Sequence, residues 1–196
     1  MTATLHRRDV VSALLAERGG LLVVAGLGST AWDCTAAGDH DLTFPLWGAM
    51  GQAAMMGLGL ALAQPQRRVL VITGDGEMLM GLGALATIGV QRPTNLSVVV
   101  IDNGRYGETG MQETHTAHGV DLAAVARASG FVDARTLSAA GELAALRTAI
   151  HGQPGPNFAT VKVRAEKVPI ILPPRDGGLL KARFRRALLG EAADLQ

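Results

Sequence analysis

The sequence predicts a doubly wound α/β domain, a mostly parallel sheet with helices on both faces. Three observations carry that expectation. Short apolar runs, partly β-branched, recur at residues 21–25, 69–73, 95–101, 131–136 and 158–163, as buried strands do. Segments with helical spacing lie between them, so strand and helix alternate along the whole chain. Strands joined by helices run parallel, with right-handed crossovers. No internal repeat and no linker between two cores breaks the pattern, so one domain is expected over residues 1–196.

Taken in order, Val10, Val11, Leu14 and Leu15 mark one face of an amphipathic helix that ends at Gly19-Gly20. The first strand, 21–25, runs into Gly26-Leu27-Gly28-Ser29-Thr30-Ala31. Residues 33–47 are polar and broken and are expected to be irregular. His40 and Asp41 lie there, and a solvated loop histidine is the plainer expectation for His40. Gly48-Ala49-Met50-Gly51 opens a helix that runs to Ala63, ahead of Pro65. A polar turn at 64–68 leads into the strand 69–73, and Gly74-Asp75-Gly76 follows at once. A helix is expected over 78–90, then a strand 95–101 that ends in Asp102-Asn103-Gly104. Gly57, Gly59, Gly81, Gly83 and Gly89 dot the two central helices. Glycine weakens a helix interior, so close packing is its expected purpose there.

After a loop over 104–119, Asp121 caps a helix to Ser129 and Ser138 opens another. The last strand, 158–163, follows a Gln153-Pro154-Gly155-Pro156 turn. A Pro-rich tail, 165–175, then precedes a basic helix, 178–190, bearing Lys181, Arg183, Arg185 and Arg186. A solvated face is the simplest reading of that helix; a partner-facing or anion-facing one is the alternative.

Composition excludes several classes of function. The chain has 196 residues, 48% of them hydrophobic, so it can bury a core and is not a disordered segment. A formal net charge of +1 gives no electrostatic case for nucleic acid. The single cysteine, Cys34, excludes a disulfide framework and an Fe–S cluster held by this chain alone. The N-terminal residues lack the apolar core of a signal peptide, and the run 53–63 is too short to span a membrane. A soluble, cytoplasmic protein is the default.

Asp75 and Asn103 both fall at carboxyl ends of expected strands, where open α/β sheets bind ligands. One offers a charged oxygen and the other a neutral one, which suits Mg²⁺. The two glycines around Asp75 let the backbone turn tightly and approach a ligand. The helix that follows would present free N–H groups to a phosphate. Gly26 to Ala31 also matches G-x-G-x-x-A, so a Rossmann nucleotide site is a rival. That site needs a second strand with an acidic end soon after, and residues 33–47 do not read as one.

Gly74-Asp75-Gly76, a strand ending in Asn103 and the pair Tyr106-Gly107 resemble the cofactor signature of thiamine diphosphate enzymes. The resemblance implies that Asp75 and Asn103 bind Mg²⁺ by their side chains and Arg105 by its carbonyl. The family often has Asn-Asn at the strand end, and Asp102 departs at the first position. Cofactor contacts are implied at Gly28, Ser29, Thr30, Gly48, Met50, Gly74, Asp75, Gly76, Glu77, Asn103, Arg105, Tyr106 and Gly107. Simple N-capping is the other reading of Ser29 and Thr30. Gly48 to Gly51 looks like the segment whose apolar residue, here Met50, wedges under the cofactor and bends it, while the Gly48 carbonyl accepts from the aminopyrimidine. A gap-filling core methionine is the alternative for Met50.

The loop Glu108-Thr109-Gly110-Met111-Gln112, then Thr114-His115-Thr116, resembles a segment of sulfopyruvate and phosphonopyruvate decarboxylases, with Glu108 and Met111 as departures. Glu108, His115 and His118 are candidates for substrate contact or proton transfer, against a solvated loop. Decarboxylases of this type often carry Arg-Glu-Leu after the first turn; here Thr30-Ala31-Trp32-Asp33 stands there, which weakens the case for a sulfonate or phosphonate substrate.

The family's catalytic Glu, which hydrogen-bonds N1′ of the cofactor, lies in a separate pyrimidine-binding domain that this chain lacks. The resemblance therefore implies the β subunit of a split 2-oxo acid decarboxylase that gives CO₂ and an aldehyde. A small pyrimidine-domain α subunit of about 150–200 residues would complete an α₂β₂ or larger hetero-oligomer. A carboligase subunit and a non-catalytic regulatory subunit are the rivals. Intact Asp75 and Asn103 speak against the latter.

Overall fold

The computed structural model describes residues 4–194. Six strands form one all-parallel sheet in the order β2-β1-β3-β4-β8-β7. They are β1 (Leu22–Ala25), β2 (Thr43–Pro45), β3 (Val69–Gly74), β4 (Leu96–Asp102), β7 (Asp133–Leu137) and β8 (Asn157–Lys162). A small antiparallel ribbon, β5 (Arg105–Tyr106) and β6 (Gln112–Glu113), stands apart from it. Residues 1–3 and 195–196, the ends of the expected domain, lie outside the described residues.

Side chains of a strand alternate between faces, and the core divides accordingly. Leu22, Val24, Val69, Val71, Val98 and Val100 face α3 (Ala53–Ala63), α5 (Gly83–Gln91) and α6 (Leu122–Ala128). Val23, Ala25, Leu70, Ile72, Val99 and Ile101 face α1 (Arg7–Leu15), α2 (Ser29–Ala36) and α7 (Leu143–Gly152). The sheet is thus covered on both sides, as parallel sheets require. Gly57 is where α3 meets β3, and a Cβ there would overlap the Val71 side chain. No described helix is long and apolar enough to cross a membrane.

Four sequence expectations change. The irregular stretch 33–47 holds the end of α2 and the edge strand β2, which is only three residues long and ends in Pro45. It pairs with β1, but Leu46 rather than an acidic residue follows it, so the Rossmann requirement is still unmet. Residues 48–52 form a turn and not the start of a helix, because Ala49 and Gly51 have φ of 56° and 91°. The helix expected over 78–90 is two helices, α4 (Asp75–Met80) and α5. The break lies at Gly81, whose bare Cα packs against the Gly51 carbonyl. Ahead of α7, Ser138 does not start the helix; the Glu142 carboxylate accepts from the backbone N–H of Ser138 and Ala139 and organises that end.

The basic helix, α8 (Gly177–Leu189), covers the β2 edge. Phe184 meets Phe44 edge-on at 5.5 Å, and Arg183 grips Asp39 through two nitrogens at 2.5 and 2.8 Å. Arg186 pairs with Asp194, so two of its four cations are spent within the chain. Covering an edge strand removes a site for unwanted pairing.

Candidate active site

The strand order reverses between β1 and β3: the chain moves outward from β1 to β2, then returns to β3 on the other side. The loops leaving such a switch point diverge and open a crevice at the carboxyl ends of the strands. Here the crevice is a cavity of about 250 Å³ lined by Ser29, Met50, Asp75, Glu77, Asn103 and Glu108, among others. A larger open groove of about 730 Å³ lies beyond Asn103, toward Lys162 and Arg164. The smaller cavity is the one that gathers the residues singled out in the sequence, Gly74, Gly76, Arg105, Tyr106 and Gly107 included.

Asp75 begins α4 and is 2% exposed. Its Oδ2 accepts from the Thr114 hydroxyl at 2.5 Å; the Thr116 hydroxyl stands 3.3 Å away, its single proton serving the shorter contact to Asp102. Burial pushes its carboxyl pKa up to about 6; the Thr114 hydroxyl opposes this and the nearby Asp102 charge adds to it. No cation pairs with it among the described residues. Asp102 is different: it accepts from Thr116 Oγ1 at 2.8 Å and is paired with Lys162, its register partner on β8. That lysine makes a buried carboxylate tenable where an asparagine was the expected residue.

Asn103 Oδ1 accepts from the Arg105 backbone N–H at 2.8 Å, a short-range turn that aims the amide. An amide oxygen has two lone pairs, so one is left for a ligand. The Arg105 side chain is held by Glu113 at 2.7 Å. Tyr106 packs on Gly76, where a Cβ would come within 2.6 Å of its ring. Glu77 is buried; its Oε2 accepts from Thr73 Oγ1 at 2.7 Å, and its Oε1 has no partner of hydrogen-bonding geometry among the described residues, though backbone N–H groups lie near it. Burial raises its pKa, while the Thr73 hydroxyl and the backbone N–H groups of Gly51, Leu27 and Ala53 lower it.

The other expected residues divide. Met50 is half-buried and lines the cavity, whereas Gly48 is exposed and does not. Gly28 precedes α2 with φ 77°, and the Glu108 carboxylate lies over it, 2.5 Å from where a Cβ would stand. Thr30 is buried and spends its hydroxyl on the Gly26 carbonyl at 2.8 Å, so only Ser29 of that pair reaches the cavity. His115 is exposed in the short helix His115–His118 and is not brought to the cavity, and His118 pairs with Glu113 at 3.1 Å. The expected long helix dipole is also reduced, since α4 has only six residues.

Three contributors were missed. Thr114 and Thr116 flank His115 and bridge the two carboxylates, with 2.9 Å between their hydroxyls. The third is Arg7, from α1, whose guanidinium lines the cavity. Nothing in a linear reading of residues 6–9 marks it.

The sequence matches the family described as thiamine pyrophosphate enzyme, C-terminal TPP binding domain, over residues 29–161. The chain belongs to this family. It is 35% identical over 190 residues to sulfopyruvate decarboxylase subunit beta of Methanothermobacter thermautotrophicus, covering 97% of this chain and 99% of that one. It is 38% identical over 125 residues to the subunit of the same name from Methanocaldococcus jannaschii, covering 63% of this chain and 66% of the relative. Against phosphonopyruvate decarboxylase of Streptomyces hygroscopicus the identity is 42% over 145 residues, 72% of this chain but only 35% of that longer one. Among solved structures, benzoylformate decarboxylase from Polynucleobacter necessarius superposes with a TM-score of 0.70 at 19% identity, over 85% of this chain and 34% of the other. That likeness shows the fold.

Proposed function

We propose that this chain is the diphosphate-binding subunit of a cytoplasmic, two-subunit, thiamine diphosphate- and Mg²⁺-dependent 2-oxo acid decarboxylase. One observation carries it. Asp75 and Asn103, each just past the carboxyl end of a different strand, meet Ser29 and Met50 in one cavity at the switch point of the sheet. The residues fit the implied groups. Asp75 is a buried carboxylate to which the Thr114 hydroxyl donates and which no cation among the described residues pairs with, a costly state that a divalent ion relieves. The amide oxygen of Asn103 and the Arg105 carbonyl complete an oxygen donor set for Mg²⁺.

The cofactor supplies the nucleophilic carbon and the electron sink for loss of CO₂. This chain's own residues do the remaining work on their side. Ser29 and the turn before it bind the diphosphate. Met50, which lines the cavity, would exclude water and hold the bend of the bound cofactor, and a dry site strengthens charge effects. The Gly48 carbonyl, exposed and two residues from Met50, would be the acceptor for the aminopyrimidine. Neither cavity glutamate is available to activate it: Glu77 is tied to Thr73, and Glu108 lies over Gly28 at the diphosphate end. We therefore assign the activating Glu to a pyrimidine-domain partner, in an α₂β₂ or larger assembly. A cavity of about 250 Å³ falls below the roughly 300–1,000 Å³ of whole small-molecule sites, as half a site would.

The test is to purify the chain with and without its partner, add thiamine diphosphate, Mg²⁺ and a panel of 2-oxo acids, and measure CO₂ release. Activity is expected only from the pair. Full activity from the lone chain would end the split-site reading and return Glu77 or Glu108 to the catalytic role.

A further inference from the structure

Arg7 opens α1 and is 4% exposed. Its Nη1 donates to the Ser29 carbonyl at 3.0 Å and to Asp33 Oδ2 at 2.6 Å. Arg8 Nε reaches the other oxygen of the same carboxylate at 3.3 Å. Asp33 is fully buried. Two guanidiniums therefore share one carboxylate, and the cluster, whose Arg7 lines the cavity, carries a net positive charge. A buried charge without a full counterion is costly, so the arrangement favours a further anion. Both bonds above use Nη1. Nε and Nη2 of Arg7 donate to none of the described residues. A guanidinium has five N–H donors in a fixed fork, a shape that matches tetrahedral and planar oxyanions.

The cavity side agrees. Arg7 lines it together with Ser29, Asp75 and Asn103. Glu108, on an exposed loop over Gly28, lines the same corner; burial raises its carboxyl pKa, and the Arg7 charge offsets part of that rise. A loop carboxylate is a replaceable counterion.

We propose that Arg7 is an oxyanion-binding residue of this cavity, taking a phosphate, phosphonate or sulfonate group on the donors that Asp33 leaves over, with Glu108 displaced as the group enters. The proposal deepens the cofactor reading above and rests on it for the two possible bearers of that group. One is the diphosphate of the cofactor, and the other is a second acidic group on the 2-oxo acid. The second would restore, from α1, the cation that the Thr30-Ala31-Trp32-Asp33 segment lacks.

The first measurement needs no variant. In full-length chain labelled with ¹⁵N-arginine, the Arg7 Nε–H resonance is followed as Mg²⁺-pyrophosphate, 3-phosphonopyruvate or 3-sulfopyruvate is added. A saturable shift with at least one of them is expected. The second uses Arg7→Lys, which keeps the charge on Asp33 but loses the fork, and the pair Arg7→Met with Asp33→Asn, which removes both charges; thermal unfolding reports whether each is folded. If the bearer is the cofactor, calorimetry shows pyrophosphate affinity falling tenfold or more in both. If it is the substrate, the assembled enzyme shows a tenfold rise in KM for the phosphonate or sulfonate acid with KM for pyruvate unchanged. An Arg7 resonance that no ligand moves, or folded variants within twofold of the parent on both measures, overturns the proposal. A parent complex that releases no CO₂ sinks the decarboxylase reading alone and leaves the resonance and pyrophosphate measurements decisive for Arg7.

Discussion

The Thr114 hydroxyl donates to the Asp75 carboxylate at 2.5 Å, across 39 residues of sequence. It fixes Oδ2 of Asp75, a residue that lines the cavity. Outer partners of this kind commonly set metal affinity by about 10–100-fold. Thr114→Ala is therefore expected to weaken Mg²⁺ support of cofactor binding by about tenfold without unfolding the chain, and Thr114→Ser to restore it. Calorimetric titration with cofactor over a range of Mg²⁺ concentrations reads this directly. Equal Mg²⁺ dependence in Thr114→Ala and the parent would mean that the threonine only fills space.

Asp75→Ala and Asn103→Ala each remove one of the proposed metal oxygens. Both variants are expected to lose Mg²⁺-dependent thiamine diphosphate binding in the assembled enzyme, because Mg²⁺ holds its octahedral shell tightly and tolerates few substitutes. Retained affinity in either would refute the donor set. The Asp75 variant is also expected to unfold at a higher temperature in the absence of ligand, since burial makes its charge costly.

Met50→Ala separates a wedge from a packing residue. Met50 is half-buried at the cavity and belongs to neither hydrophobic cluster. Its truncation is expected to lower turnover tenfold or more while cofactor affinity stays within about threefold, since the diphosphate anchor is separate from the bend. A variant with parental turnover would reduce Met50 to lining.

Cys34 gives a pH prediction away from the site. Burial pushes its thiol pKa from 9.0 up to about 12. The unfolded chain thus releases this proton first as pH rises, and stability falls between pH 9 and about 12. Cys34→Ala is expected to flatten that alkaline limb in denaturant titrations. The native thiol is also expected to resist thiol reagents at pH 8, because the thiolate is the reactive form; rapid labelling of the folded chain would contradict its burial.

The inner strands β1, β3 and β4 were readable because each is an apolar run rich in valine or isoleucine. β2 was not, being a three-residue edge strand whose stability comes from β1 on one side and α8 on the other. The break at Gly81 depends on the Gly51 carbonyl, thirty residues upstream, which no local pattern reveals. That Asp75, Asn103 and Met50 line one cavity was legible because their spacing and neighbours are distinctive. Thr114, Thr116 and Arg7 were not, since a hydroxyl or a guanidinium acquires its role only from what folding brings beside it. The attention given to His115 shows the same limit from the other direction: its ionisable ring drew notice, while the threonines on either side make the contacts.

The position of β8 has a bearing on how the chain assembles as it is synthesised. β8 is made after β7 yet inserts between β4 and β7, and β7 pairs with no other strand. A nascent chain that has reached residue 137 therefore holds a strand with nowhere to dock, and a carboxylate, Asp102, still waiting for Lys162. Closing the sheet and neutralising the floor beside Asn103 become one late event. Binding competence then switches on near the end of translation rather than accumulating along it, and a chain released early carries an open β4 edge that invites aggregation.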